Sequence, residues 1–264
     1  MSVRSWALVT GASSGLGVEF ARQLAERGYD LVIVARREEK LRAVAETLRA
    51  AGGVRVETVV ADLTSDAERA RLAVNVDALD APLEVLVNNA GHGLFGRFDE
   101  IPWEKERQML EVDIAAVVHL CKLFVPGMTA RKRGYILNVA SIGAYQPTPL
   151  YASYSAAKSF VRSFSEALNV ELHGSGVSAT VVSPGVTATE FLDVAKQRAT
   201  PYQRLVMMKS PDVARAALKA TFARRSSVVP GFVNALTALN TRLLPSPVAA
   251  RVAHLLMKSD VSAH

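Results

Sequence analysis

Seven short runs rich in β-branched residues alternate along this chain with longer stretches of helical periodicity. The runs are Trp6–Thr10, Leu31–Ala35, Val54–Val60, Val85–Asn88, Gly134–Val139, Val177–Ser183 and Ser226–Pro230. Each is almost continuously apolar. Strict alternation would mark a sheet with one wet face, whereas continuous apolarity marks strands covered on both faces. The helical patterns fall at Gly15–Gly28, Glu38–Ala51, Ser65–Asp80, Trp103–Arg131, Tyr154–Gly174 and Pro211–Ala223. Parallel strands need crossovers of that length, and such crossovers are right-handed. The pattern predicts an α/β fold, a doubly wound parallel sheet of seven strands with helices on both faces.

Composition removes several functions. The 264 residues are 50% hydrophobic, enough for a large core. A net charge of +6, from 31 basic and 25 acidic residues, is scattered rather than gathered into a stripe with interleaved aromatics, so nucleic acid is not expected as a partner. Cys121 is the single cysteine and is expected to be a small buried hydrophobe. The histidines lack metal-site spacing, so no metal is expected. No apolar run approaches the ~18 residues of a membrane span, and Met1–Ser5 leads straight into the first strand, so the expectation is a soluble cytoplasmic protein.

The first strand runs into Thr10-Gly11-Ala12-Ser13-Ser14-Gly15-Leu16-Gly17 and then a helix. Glycines there allow a tight turn and let backbone N–H groups approach a pyrophosphate at the helix N-terminus. No Gly-Lys-Ser/Thr follows, so this is not a nucleoside-triphosphate loop. The second strand ends in Ala35-Arg36-Arg37, where a fold preferring NAD carries a carboxylate for the ribose hydroxyls. An arginine at that point suits a 2′-phosphate. The expectation is therefore a Rossmann-like fold that binds NADP(H).

Tyr154 and Lys158 are four residues apart in a helical pattern, on one face. An unperturbed tyrosine has a pKa of about 10. A cation ~4 Å away at an effective dielectric of ~20 is worth roughly 4 kcal/mol, enough to bring the phenol toward neutral pH. Ser141 stands thirteen residues before Tyr154.

These motifs, taken with Asp62-Leu63 after the third strand, Asn88-Asn89-Ala90-Gly91 after the fourth, and Pro184-Gly185-Val186-Thr187-Ala188-Thr189 after the sixth, resemble the short-chain dehydrogenase/reductase family over roughly residues 5–230. The resemblance implies that Gly11, Ser13, Ser14 and Leu16 meet the cofactor's phosphates and adenosine ribose. Arg36, with Arg37, would hold the 2′-phosphate, and Asp62 and Leu63 would flank the adenine. Asn89, Ala90 and Gly91 would line the middle, while Pro184, Gly185, Val186, Thr187 and Thr189 would contact the nicotinamide end. It further implies that Tyr154 is the general acid/base, that Ser141 binds the same substrate oxygen, and that Lys158 binds the nicotinamide ribose and lowers the tyrosine pKa. The reaction implied is interconversion of a carbonyl and an alcohol. A silent NADPH-binding regulatory protein, or an isomerase, epimerase or dehydratase of the family, stands as the alternative.

One position departs from the family. Relatives usually carry an asparagine early in the helix after Asn-Asn-Ala-Gly, where it supports a proton-relay water. Here Asp113 occupies that slot. Its carboxylate is expected either to sustain an altered relay or to cancel part of the lysine's pull on Tyr154. The expected substrate wall is Ile142, Tyr145, Leu150, Tyr151, Phe191 and Leu192, suited to a hydrophobic carbonyl compound.

Residues 1–264 read as one dinucleotide-binding and catalytic domain, with 186–210 as a substrate lid and 231–264 as a C-terminal helical extension. In that extension Phe232, Ala235, Leu236, Leu239, Leu243 and Leu244, then Val248, Val252, Leu255 and Leu256, follow helical spacing. They are expected to pack over the cleft or a neighbouring subunit. The alternative is peripheral membrane contact assisted by Arg242, Arg251 and Lys258. The family resemblance suggests a homodimer or homotetramer.

Overall fold

A computed structural model describes residues 4–187 and 207–257. Its strands are β1 (Trp6–Thr10), β2 (Asp30–Ala35), β3 (Val56–Val60), β4 (Leu83–Asn88), β5 (Gly134–Val139), β6 (Val177–Val182) and β7 (Ser227–Val228). They form one sheet in the order β3-β2-β1-β4-β5-β6-β7, every neighbouring pair parallel. The seven-stranded α/β expectation is met. The strand order reverses between β1 and β4, which opens a crevice at their carboxyl ends.

The helices are α1 (Gly15–Ala25), α2 (Glu38–Gly52), α3 (Asp66–Asp77), α4 (Trp103–Leu110), α5 (Ala116–Ala130), α6 (Ala152–Glu171), α7 (Ser210–Phe222), α8 (Phe232–Leu243) and α9 (Ser246–Met257). Side chains of a strand alternate between faces. Ala7 and Val9 join a core with Ile33, Leu137 and residues of α1, α2 and α7, among them Phe20, Leu41 and Leu218. Trp6 and Leu8 join the opposite core with Leu86, Ile136, Leu72, Leu120 and Phe124. Each large apolar side chain fully buried there contributes about 1.5–3 kcal/mol of transfer energy.

Three departures from the sequence reading have local causes. β3 is an edge strand with Glu57 and Val60 exposed, so it is not covered on both faces as its apolar run suggested. The last strand is two residues long, not Ser226–Pro230. The pattern at Trp103–Arg131 is α4 and α5 joined through a π-helical turn at Glu111–Ala115. The wider turn re-aims side chains against the preceding helix, and it leaves Asp113 buried.

The C-terminal pair reverses the usual sidedness. α8 buries Asn234 and Ala238 and half-buries Thr237 and Thr241, while Phe232, Val233, Leu236 and Leu239 face out. α9 buries Ala249 and Ala253 and exposes Val248, Val252 and Leu255. α8 thus seats beside the cleft through its small and polar side, while the described large apolar residues of both helices stay exposed in the single chain. Small and short polar residues let α8 seat closely: a Cβ on Gly185 would come within 2.6 Å of Asn234. The side chains of Arg242, Leu243 and Leu256, and all of Lys258, lie outside the described residues.

Candidate active site

The carboxyl ends of β1 and β4 are laced together by two side chains. Thr10 Oγ1 donates to Val87 O (3.2 Å) and accepts from Asn89 N and Ala90 N (3.0 Å each). Asn89 Nδ2 returns to Thr10 O at 2.8 Å. Gly11 has φ +66°, and a Cβ there would lie 2.9 Å from Ala90 Cα. The glycine loop can therefore close on the Asn-Asn-Ala-Gly turn only because position 11 lacks a side chain.

Along this seam runs a cleft of about 420 Å³. One end is lined by Gly11, Ser13, Ser14, Leu16, Arg36, Arg37, Asp62 and Leu63. The middle carries Asn89, Ala90 and Gly91, and the other end Ser141, Tyr154, Lys158, Pro184, Gly185, Val186 and Thr187. Ile142 and Tyr151 line it as well. Thr189, Phe191 and Leu192, with most of the expected lid, fall outside the described residues.

Two members of the expected substrate wall do not line this cleft. Tyr145 is engaged by Arg162, whose guanidinium carbon stands 4.5 Å from its ring centroid. Leu150 occupies a left-handed turn (φ 69°), with its carbonyl accepting from Gly96 N. His92, Val112, Gly143, Gln146 and Thr148 line the cleft although nothing in the sequence singled them out. His92 directly follows the Asn-Asn-Ala-Gly turn, and the last three lie between Ser141 and Tyr154, so adjacency to a motif was the available signal.

At the far end Arg37, more than Arg36, grips the glycine loop. Its guanidinium donates to Ser14 Oγ at 2.8 Å and to Ser13 Oγ at 3.1 Å. The donor set fits an adenosine phosphate: two guanidinium groups, two hydroxyls and a helix N-terminus converge there.

At the other end Ser141 caps a short 3₁₀ turn at Ile142–Tyr145, its Oγ accepting from Gly143 N at 3.2 Å. Ile142 N donates to Pro184 O (2.8 Å), which ties this turn to the segment after β6. Tyr154 lies in the first turn of α6, near enough to Ser141 for the serine hydroxyl to act on its pKa. Lys158 follows one turn on, buried, and donates to Val139 O at 3.1 Å. Its ammonium is 5.6 Å from the Tyr154 ring centroid.

Asp113 changes the electrostatics of this end. It is fully buried, and its Oδ2 forms an ion pair with Lys158 Nζ at 3.0 Å that lacks the angle of a directed hydrogen bond. Oδ1 accepts from His92 N at 3.1 Å. Only glycine fits at position 91, because a Cβ there would approach Asp113 Oδ1 to 2.7 Å. The expected lowering of the Tyr154 pKa is reversed. Burial of the hydroxyl raises it, the Asp113 carboxylate raises it further, and the Ser141 hydroxyl opposes both. One edge of Tyr154 still borders the cleft, so the residue is only half-buried while its hydroxyl end is desolvated. Burial also raises Tyr151, which packs 5.7 Å from Tyr154 and 5.2 Å from Phe95, and lowers His92. Cys121 is buried as expected, its thiol pushed up to about 12 by desolvation.

A profile described as short chain dehydrogenase matches residues 5–199. The very-long-chain 3-oxoacyl-CoA reductase of Phaeosphaeria nodorum is 36% identical over 201 residues, covering 74% of this chain but 58% of that reductase, so the chain spans well under two thirds of its length. An uncharacterized oxidoreductase of Myxococcus xanthus is 38% identical over 192 residues, 72% of this chain and 75% of that one. Among solved structures, a short-chain dehydrogenase of Sphingobium yanoikuyae in complex with NADPH superimposes with a TM-score of 0.80 at 32% identity, covering 90% of this chain and 94% of that one. With the sheet order, the laced glycine loop and the serine–tyrosine–lysine cluster already in place, these matches establish that the chain belongs to the short-chain dehydrogenase/reductase family.

Proposed function

We propose that this protein is an NADP(H)-dependent oxidoreductase that interconverts a hydrophobic carbonyl compound and its alcohol. The observation that carries the reading is one cleft with Arg36 and Arg37 at one end and Ser141, Tyr154 and Lys158 at the other. A bound nicotinamide supplies or accepts the hydride. Ser141 and Tyr154, side by side at one end of the cleft, would share a substrate oxygen. Tyr154 donates the proton to that oxygen in reduction and removes it in oxidation. Burial and the Asp113 carboxylate hold the phenol in its protonated form at neutral pH, the form that acts as the acid when the carbonyl is reduced. Lys158 would bind the nicotinamide ribose while Asp113 holds its ammonium beside β5. The arginines would take the 2′-phosphate as a pair, Arg37 ordering the loop serines as it does so.

The apolar Ile142 and Tyr151 support a hydrophobic substrate, and the name of the Phaeosphaeria relative places 3-oxoacyl thioesters among the compounds to try. Assembly as a homodimer or homotetramer through α5 and α6, and a cytoplasmic site of action, complete the proposal. Among the described residues no helix is long and apolar enough to cross a membrane. The test is consumption of NADPH and NADH across a panel of ketones, aldehydes, steroid ketones and 3-oxoacyl thioesters. Turnover with NADPH is expected. A double Arg36→Ala, Arg37→Ala variant should lose about tenfold or more in NADPH affinity, since a hydrogen bond to a charged group is worth roughly 1.5–3 kcal/mol, with NADH little changed. Binding without turnover on the whole panel would favour a regulatory protein instead.

A further inference from the structure

α8 and α9 each present a stripe of large apolar side chains to solvent. On α8, Phe232, Leu236 and Leu239 recur at four- and three-residue spacing, and on α9, Val248, Val252 and Leu255 do the same. Exposure is extensive at the ends, 84% at Phe232 and 73% at Leu255. The inward stripes are Asn234, Ala238, Ala249 and Ala253. Amphipathic helices of a soluble domain turn their large apolar stripe inward, and contiguous apolar surface left outside marks a contact.

The charge of the segment says which contact. No acidic residue occurs between Asp212 and Asp260, a stretch carrying Arg215, Lys219, Arg224, Arg225, Arg242, Arg251 and Lys258. Arg251 is exposed on α9 itself. In a two-fold contact between copies, the same face meets itself, so the exposed Arg251 of each copy would be brought toward the other with no carboxylate in either helix to offset the charge. An anionic lipid surface accepts both features at once, the apolar stripes entering the acyl boundary and the cations meeting headgroups. We propose that the exposed face of α8 and α9 is a peripheral docking surface for anionic lipid bilayers. The face adjoins the candidate active site, because α8 is seated through Asn234 against Gly185, which lines the cleft. The proposal does not depend on the chemistry assigned to that cleft.

The experiment is co-sedimentation of the full chain with phosphatidylcholine vesicles, with and without phosphatidylglycerol. It compares wild type with a Leu236→Gln, Leu239→Gln variant and an Arg251→Glu variant, each checked for an unchanged thermal transition. Wild type should bind the phosphatidylglycerol vesicles and fail to bind phosphatidylcholine alone. The double variant should lose at least about tenfold in partitioning, the scale of withdrawing leucine side chains from an apolar phase, and Arg251→Glu a smaller factor in the same direction. Absence of binding by wild type, equal binding to both compositions, or equal binding by the double variant would overturn the proposal. So would a wild-type dimer, broken by the double substitution, that ignores vesicles; the face would then belong to a second copy of the chain.

Discussion

Around the sheet, Leu8, Leu86 and Leu120 lie inside, and the buried charges Asp113 and Lys158 neutralise each other. In α8 and α9 the arrangement is inverted: alanines and an asparagine lie inside, and leucines and valines face out. The same chain obeys the usual sidedness where it builds the cleft and breaks it beside the cleft's rim. The difference teaches that the two regions invest apolar area in different partners, one in the chain itself and the other in something outside it. Changes in the first region should cost catalysis and stability, and changes to the outward side chains of the second should cost neither.

The largest expected separation is in turnover. Tyr154→Phe removes the proton that Tyr154 delivers to the substrate oxygen, and should lower kcat by about 10²–10⁴. Leu236→Gln should leave kcat for a water-soluble carbonyl substrate at the wild-type value. Steady-state NADPH oxidation measures both, and a large loss in Leu236→Gln would break the comparison.

Next comes stability. Lys158→Met leaves the Asp113 carboxylate buried without its cation, an arrangement that typically costs about 3–5 kcal/mol. Urea unfolding should show that loss. An Asp113→Leu, Lys158→Met double variant should recover much of it, because the uncompensated charge is gone. Additive losses would mean that the pair's coupling is not what holds the region.

How much of this was readable follows from what each signal encodes. The sheet was legible because continuous apolar runs report burial on both faces, and the cleft because its motifs sit at strand ends and helix starts. The π turn was not: Glu111–Ala115 has the composition of ordinary helix, and one inserted residue leaves no mark on periodicity. The choice of Tyr151 over Tyr145 for the cleft depends on which side of the 3₁₀ turn each ring faces, which spacing does not state. The outward stripe of α8 was likewise open, since helical periodicity finds a stripe without saying what it faces.

Asp113→Asn gives a subtler separation within the cleft itself. The carboxylate is one of the two causes that raise the Tyr154 pKa, after burial. Oxidation needs the deprotonated phenol, so its rate should rise with pH through that pKa. Reduction needs the protonated phenol, so it should hold across neutral pH and fall on the alkaline side. Removing the carboxylate lowers the pKa, so both limbs should move to lower pH in Asp113→Asn. Profiles that superimpose on wild type would remove the carboxylate from the tuning of Tyr154.

The smallest effect is the sharpest test of the inversion. Leu86→Ala opens a void in the core and should cost about 2–5 kcal/mol. Leu239→Ala removes the same atoms from a side chain that is more than half exposed, and should stay within about 0.5 kcal/mol in buffer. Ala238→Leu, one residue away and buried, should instead cost about 1–3 kcal/mol, because the larger side chain must force α8 off its seat. Thermal or urea unfolding of the three variants orders them. If Leu239→Ala proved as costly as Leu86→Ala, α8 would be using its apolar stripe within the chain, and the contrast between the two regions would disappear.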